Sequence, residues 1–166
     1  MRYDFGSDNT AGMAPSAVQG LIRANEGFAR AYGADDVTAR AADQIRQRLD
    51  ADADIRFVFS GTAANAIALS MLALPFEAVM AHNAAHVCTD ETGAPGFFGQ
   101  GLGLIGLPGF SGKIDPLALK AQLAEPEVGH RQPPAALSLT QATEYGAVYT
   151  QEELRHLIEP VKALGY

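Results

Sequence analysis

Apolar and polar positions alternate along the chain in blocks that predict helices and strands in turn. Residues 14–31 place apolar side chains at helical spacing with Pro15 near the start, and residues 37–49 repeat that spacing. Short apolar runs bounded by glycine, proline or small polar residues predict strands. In chain order the pattern predicts helices at 14–31, 37–49, 61–73, 116–123 and 150–165, and strands at 55–59, 77–81, 101–107 and 134–140.

Several helix starts carry the residues that cap free backbone N–H groups. Asp115-Pro116 combines an N-cap carboxylate with proline at the first helical position. Thr150, followed three residues later by Glu153, forms a capping box. Asp35 or Asp36 is the expected cap of the second helix, which fixes its start near residue 37.

Strands that alternate with helices predict an α/β fold with a mostly parallel, doubly wound sheet between two helical layers. Ligands of such sheets bind beyond the carboxyl ends of the strands. Polar segments follow three of the predicted strands, at 60–62, 82–91 and 140–144, and we expect them to face one crevice. We divide the chain into an N-terminal arm with helices, residues 1–50, and the first part of an α/β domain, residues 51–166. Because the last helix should lead into another strand, we expect this domain to be truncated.

Composition and charge exclude some classes of function without identifying one. Of the 166 residues, 48% are hydrophobic and 19% charged, which is typical of a globular protein. A formal net charge of -7 argues against a nucleic-acid partner. The sequence has neither an apolar run of membrane-spanning length nor an apolar signal segment at its start, so we expect no membrane association. A lone cysteine, Cys88, fits a reducing cytoplasm.

The stretch FVFSGTAANAIAL, residues 57–69, reads as a strand that turns into a helix at Ser60-Gly61-Thr62. Free N–H groups at such a helix start favour an anion, usually a phosphate. An ordinary capped helix start is the alternative interpretation. No lysine follows Thr62, so the turn is not a nucleoside-triphosphate loop. A plain nucleotide-binding domain is also disfavoured, since the glycines of GLGLIG lie inside an apolar run.

The segment AHNAAHVCTDE, residues 81–91, concentrates ionisable and metal-ligating side chains. His82 and His86 have the spacing of a zinc pair on one helix face, but Asn83 stands where such a motif needs glutamate. We therefore predict no metal, and one functional histidine beside one structural histidine. Nothing in the sequence identifies a group that would lower the pKa of Cys88, so we interpret this residue as a small buried hydrophobe.

Five stretches in order resemble one family. They are FGSDNTAG, ARAYGADDVTARA, FVFSGTAANAIAL, AHVCTDETGAPGFF and SLTQATEYGAVYT. Their order and spacing resemble the amino-terminal half of the low-specificity threonine aldolases, over residues 3–164. The resemblance implies the type I fold of the aspartate-aminotransferase group and pyridoxal 5'-phosphate as cofactor.

The resemblance also implies roles for individual residues. Ser60, Gly61 and Thr62 would hold the cofactor phosphate, in agreement with the anion argument from the turn. His86 would stack on the pyridine ring and handle protons at the substrate's β-hydroxyl. The other implied site residues are His130 near the β-substituent of the substrate, Ser7, Tyr32 and Glu91 on the substrate side, and Thr140, Gln141 and Glu144 in the cofactor-facing loop. From the residues alone, Ser7 in FGSDN fits either a polar ligand site or an Asx-turn.

The implied reaction is retro-aldol cleavage of a threonine-like β-hydroxy-α-amino acid to glycine and an aldehyde, by a homo-oligomer (dimer or tetramer). A β-eliminating lyase is the near alternative. The family's cofactor-linking lysine has no match here, since Lys113, Lys120 and Lys162 lie in other contexts. We therefore expect this chain alone to be inactive. The alternative from a different class is a non-catalytic remnant that binds a phosphate-bearing ligand or a partner chain.

Overall fold

The computed structural model describes residues 10–125 and 129–166, and the chain forms two compact units, Met1–Phe57 and Val58–Tyr166. The first unit contains α1 (Pro15–Ala24) and α2 (Asp36–Leu49). Asp35 is the N-cap of α2, and its Oδ1 accepts a hydrogen bond of 2.8 Å from the Thr38 N–H. α1 ends well short of the predicted residue 31, because the chain turns at Gly27 with a positive φ of 75°.

The second unit is a three-stranded parallel sheet with helices, as the sequence predicts. Its strand order is β2-β1-β3, and both pairings are parallel. The elements are α3 (Gly61–Leu72), β1 (Ala78–His82), α4 (His86–Thr89), α5 (Ala94–Phe98), β2 (Gly103–Leu107), a 3-10 turn (Phe110–Gly112), α6 (Pro116–Leu123), β3 (Pro134–Leu137) and α7 (Gln151–Ala163). The predicted caps Asp115 and Thr150 accept hydrogen bonds at the starts of α6 and α7.

The central strand β1 is buried on both faces, so its alternate side chains enter two different apolar clusters. Val79 and Ala81 pack with Leu69 of α3 and with residues of α4. Met80 points to the opposite face, where it packs in the cluster that contains Leu119 of α6 and buried side chains of α7. Helices therefore cover both faces of the sheet, which is the α/β/α arrangement of a doubly wound fold.

The order of the strands reverses at β1. The chain passes from β1 to β2 on one side, then crosses to β3 on the other side of β1. This reversal creates a crevice beyond the carboxyl ends of β1 and β3, which is where ligands bind in open α/β sheets.

Two of the predicted strands require correction. Residues 55–59 pair with no strand of the described chain, and Phe57 and Phe59 are 54% and 96% exposed. An apolar, β-branched run can form a strand only where a neighbour supplies the ladder, and none of the described residues does so here. β3 ends at Leu137 rather than 140, although the Ser138 N–H still donates to the Met80 carbonyl at 2.8 Å.

Among the described residues, no helix combines the length and apolarity needed to cross a membrane.

Candidate active site

The turn at Ser60 starts α3 in a way that leaves backbone donors free. Ser60 is extended, with φ -151° and ψ 160°, and its Oγ accepts a hydrogen bond of 3.2 Å from the Ala63 N–H. Within the described part of the chain, the N–H groups of Gly61 and Thr62 have no hydrogen-bond partner. A Cβ added at Gly61 would meet no atom within 4 Å. The start of this twelve-residue helix is thus open to an anion from outside.

His86 lies at the start of α4, beyond the end of β1, and is tied to a buried carboxylate. Its Nδ1 is 2.9 Å from Glu91 Oε1, and the same oxygen accepts a hydrogen bond of 2.6 Å from Asn65 Nδ2. Glu91 is only 3% exposed, whereas the His86 side chain is 46% exposed. Asn65 is in the second turn of α3, so this network connects the helix that begins at the Ser60 turn to the histidine.

The charges around His86 raise its pKa above the ordinary value of 6.5. The hydrogen bond to Glu91 is the main cause, and the negative charges of Glu91, Glu144 and Asp90 add to it, while burial acts in the opposite direction. For Cys88, burial followed by the charge of Glu91 raises the thiol pKa, which keeps the thiol protonated. The environment of Cys88 is thus unlike that of a nucleophilic cysteine.

The crevice between β1 and β3 is small and is lined by polar groups from the predicted loop. Ser138, Thr140 and Glu144 line it on one side, and His82 with Ala85 on the other. Glu144 also acts electrostatically on His86. The segments that follow β1 and β3 therefore meet at one place, whereas residues 60–62, the third segment predicted to face this crevice, are not among its lining residues.

Gln141 and Thr143 stabilise the loop after β3 through hydrogen bonds to the backbone. The Oε1 atom of Gln141 accepts a hydrogen bond of 2.7 Å from the Tyr149 N–H. Thr143 Oγ1 donates to the Ser111 carbonyl at 2.7 Å. Because the Gln141 side chain bonds to the backbone, its role among the described residues is to stabilise the loop that carries Thr140 and Glu144.

His82 is held entirely by backbone groups. The Ala84 N–H donates to its Nδ1 at 3.0 Å, and its Nε2 is 3.1 Å from the Gly109 carbonyl, which can only accept. Both ring nitrogens are thereby occupied, with the proton on Nε2. These contacts are in keeping with the interpretation of His82 as a structural histidine. No group of three or more potential metal-ligating side chains occurs among the described residues.

The structure gives no support to a place beside His86 for the remaining predicted site residues. Ser7 lies outside the described residues. Tyr32 belongs to the first unit, where it is fully exposed in the loop between α1 and α2. His130 is exposed and precedes β3, next to Gln132, whose side chain donates to the Pro75 and Gly101 carbonyls at the amino ends of the strands. This is the edge opposite to His86, so the placement gives no support to a catalytic role of His130.

Glu91 requires a different correction. The sequence interpretation places it on the substrate side, but the structure buries its carboxylate under His86. With Oε1 shared between Asn65 and His86, Glu91 contacts the histidine and not the open part of the site.

Asn65 is the residue that the sequence analysis overlooked. Asparagine is a weak helix former, and here it interrupts an otherwise apolar and alanine-rich helix. A polar residue that lowers helix propensity on a partly buried face signals a specific hydrogen bond, which in this fold is the bond to Glu91.

Comparison with known proteins gives concordant results from family, relatives and structure. The beta-eliminating lyase family matches residues 4–166. The low specificity L-threonine aldolases of Pseudomonas sp. and Pseudomonas aeruginosa are both 41% identical over 161 residues, which is 97% of this chain. A solved structure of Leishmania major threonine aldolase superposes with a TM-score of 0.87 at 32% identity and covers 94% of this chain. The chain spans about half the length of these proteins, namely 46% of the Pseudomonas relatives and 45% of the Leishmania chain.

Proposed function

We propose, from the premise that this chain belongs to the beta-eliminating lyase family, that it is the amino-terminal part of a pyridoxal 5'-phosphate-dependent aldolase. The protein would cleave L-threonine and related β-hydroxy-α-amino acids to glycine and an aldehyde. The fold supports this, since the parallel sheet is the one found in a threonine aldolase of type I cofactor fold. The names of the two Pseudomonas relatives favour the aldolase reaction.

The observation that carries the proposal is the half-exposed His86 ring anchored to buried Glu91 at the carboxyl edge of the sheet. An imidazole with one nitrogen anchored and the other open can bind against a flat ring and exchange a proton. Retro-aldol cleavage needs a group of this kind, because the β-hydroxyl must lose its proton as the Cα–Cβ bond breaks.

The residues present fit the cofactor. Pyridoxal phosphate carries a dianionic phosphate, and the free N–H groups of Gly61 and Thr62 at the start of α3 are donors for such a group. The open space at Gly61 allows close approach of phosphate oxygens to the backbone. When bound, the cofactor supplies an electron-withdrawing ring that takes up the electron pair released on bond cleavage.

The chain's own side chains would then have distinct tasks. Ser60, Gly61 and Thr62 would hold the phosphate, and the His86 ring would lie against the cofactor. His86 Nε2 accepts the β-hydroxyl proton, which gives the leaving aldehyde its carbonyl. Thr140 and Glu144 contribute polar groups from the opposite wall of the crevice. We also propose a homo-oligomer in the cytoplasm, in keeping with the numerous exposed apolar side chains and a free cysteine.

The test is a product assay on the intact protein that contains this chain, loaded with pyridoxal phosphate. With L-threonine we expect equimolar glycine and acetaldehyde. His86→Asn should lower kcat by at least about 100-fold, the usual contribution of a proton-transfer residue. His156→Asn is the matched control, since His156 is exposed on α7, and its activity should equal that of the wild type. Formation of ammonia and a 2-oxo acid instead would identify a β-eliminating lyase and overturn the aldolase proposal.

A further inference from the structure

The Asn65–Glu91–His86 network contains a feature that fold stability does not explain. Glu91 Oε2 is buried and has no hydrogen-bond partner among the described residues. A buried carboxylate with one unpaired oxygen costs free energy, and holding two donors on the other oxygen does not by itself require a charge. Retaining a full negative charge at this place therefore points to a function of the charge itself.

The charge acts on His86. A carboxylate oxygen only accepts hydrogen bonds, so His86 Nδ1, at 2.9 Å from Glu91 Oε1, must carry a proton. In the neutral ring this leaves Nε2 without a proton and able to accept one. Within the described residues Nε2 has no partner, and the half-exposed side chain keeps it accessible.

Asn65 completes the arrangement from the opposite side. Its Nδ2 donates at 2.6 Å to the same Oε1 that contacts His86, which fixes the orientation of the carboxylate. Asn65 is four residues beyond Gly61 on α3, so the helix that begins at the anion-binding turn also positions the carboxylate. One rigid element thereby sets the distance between the phosphate turn and the histidine.

We propose that Glu91, held by Asn65, is a positioning residue that keeps the His86 proton on Nδ1 so that Nε2 accepts the β-hydroxyl proton of the substrate. The inference rests on the proposed function, because it names how the proton acceptor of that same reaction is prepared. In the proton transfer, the β-hydroxyl O–H bond breaks, Nε2 gains the proton, and the resulting imidazolium is paired with the Glu91 carboxylate.

The charged groups near His86 determine which substitutions can test this proposal. Glu91 contacts it directly, while Glu144 and Asp90 act through space. Glu91→Gln keeps the size and an acceptor oxygen but removes the charge. Asp90→Asn is the matched control, because it removes a neighbouring exposed charge whose carboxylate accepts a hydrogen bond from Thr89 Oγ1.

The first measurement requires no variant. In the intact holoenzyme labelled with ¹⁵N-histidine, the neutral His86 ring is expected to show a protonated Nδ1 and an unprotonated Nε2. The opposite tautomer in the wild-type protein would overturn the proposal, whatever the variants do. Because this result does not depend on catalysis, a protein with the expected tautomer but no aldolase activity would contradict the proposed function and leave the positioning of His86 intact.

The second measurement compares the two variants. In Glu91→Gln the titration midpoint of His86 should fall, as on loss of a contacting charge. Its kcat should fall about 10- to 100-fold with little change in KM, the usual effect of losing a partner that orients a functional histidine. Asp90→Asn should change each of these quantities much less. A His86 titration in Glu91→Gln that overlays the wild-type curve would refute the inference.

Discussion

At the scale of single residues, packing requires a glycine at Gly109 but not at Gly61. A methyl group at Gly109 would collide with the carbonyl oxygen of Lys113, so the packing of the chain itself requires glycine there. A methyl group at Gly61 would meet nothing within 4 Å, and Gly61 is in an ordinary helical position. Internal packing therefore does not require glycine at Gly61, and we propose that a ligand that approaches the backbone does.

We therefore expect Gly61→Ala to leave the folded protein as stable as the wild type, since alanine favours the helix. The dissociation constant of pyridoxal phosphate should rise roughly tenfold, equivalent to about 1.4 kcal/mol of charge-assisted hydrogen bonding. Fluorescence titration with the cofactor and a thermal melt on the intact protein measure the two effects. Gly109→Ala, the control, should lower the melting temperature. Unchanged cofactor affinity in Gly61→Ala would contradict phosphate binding at this turn.

At the scale of elements, α7 shows how a cap and an ion pair are combined. Thr150 Oγ1 accepts from the Glu153 N–H, and Glu153 Oε2 accepts from the Thr150 N–H at 2.6 Å. The Lys113 ammonium group also donates to both Glu153 oxygens, at 2.9 and 2.8 Å. The hydrogen bond from Lys113, followed by the one from the Thr150 backbone, holds the pKa of Glu153 below its ordinary value of 4.5.

This shift predicts a pH-dependent stability with a defined sign. A depressed carboxyl pKa stabilises the folded state fully above pH 4.5, and the stabilisation is lost as the pH falls through the lower, folded-state pKa. Glu153→Gln should therefore be less stable than the wild type near neutral pH, and the difference should shrink as the pH falls below 4.5. Urea unfolding between pH 7 and pH 3 measures this. Glu152→Gln is the control, and a difference independent of pH would show that the charge of Glu153 is unimportant.

At the scale of the whole molecule, the surface carries many large apolar side chains that are exposed to solvent. Phe59, on the unpaired segment 55–59, is 96% exposed, and Phe97 and Phe98 on α5 are also exposed. A run of apolar residues with free backbone groups is a template for pairing with another chain. We expect this surface to be buried, either by further polypeptide or by a second subunit.

We expect the 166-residue chain by itself to associate in a concentration-dependent manner, as seen by sedimentation velocity. Phe59→Ser should weaken this association, because it removes the most exposed apolar side chain of the unpaired segment. Phe28→Ser serves as the control, since Phe28 is equally exposed but lies in the first unit between its two helices. A cooperatively melting monomer at all concentrations would contradict the prediction.

Local patterns were enough to predict most of the elements. The caps at Asp115 and Thr150 could be identified from sequence, and the cap of α2 could be limited to Asp35 or Asp36, because each bond spans only two or three residues. The parallel sheet followed from the alternation of strands and helices, and the family from five ordered stretches. The Ser60 turn was identified in the same way, since helix-start chemistry is local.

The sequence by itself thus determined the helix starts, the fold class and the family, because these depend on neighbours in the chain. Only the tertiary structure decided which predicted strands pair in the sheet, since the pairing of residues 55–59 depends on residues that are distant in the chain. It also moved His130 to the opposite edge of the sheet and buried Glu91 under His86. The Asn65 bond to Glu91 spans 26 residues, so no local pattern could reveal it. Long-range contacts of this kind arise only when the sheet brings α3 and the segment after β1 together.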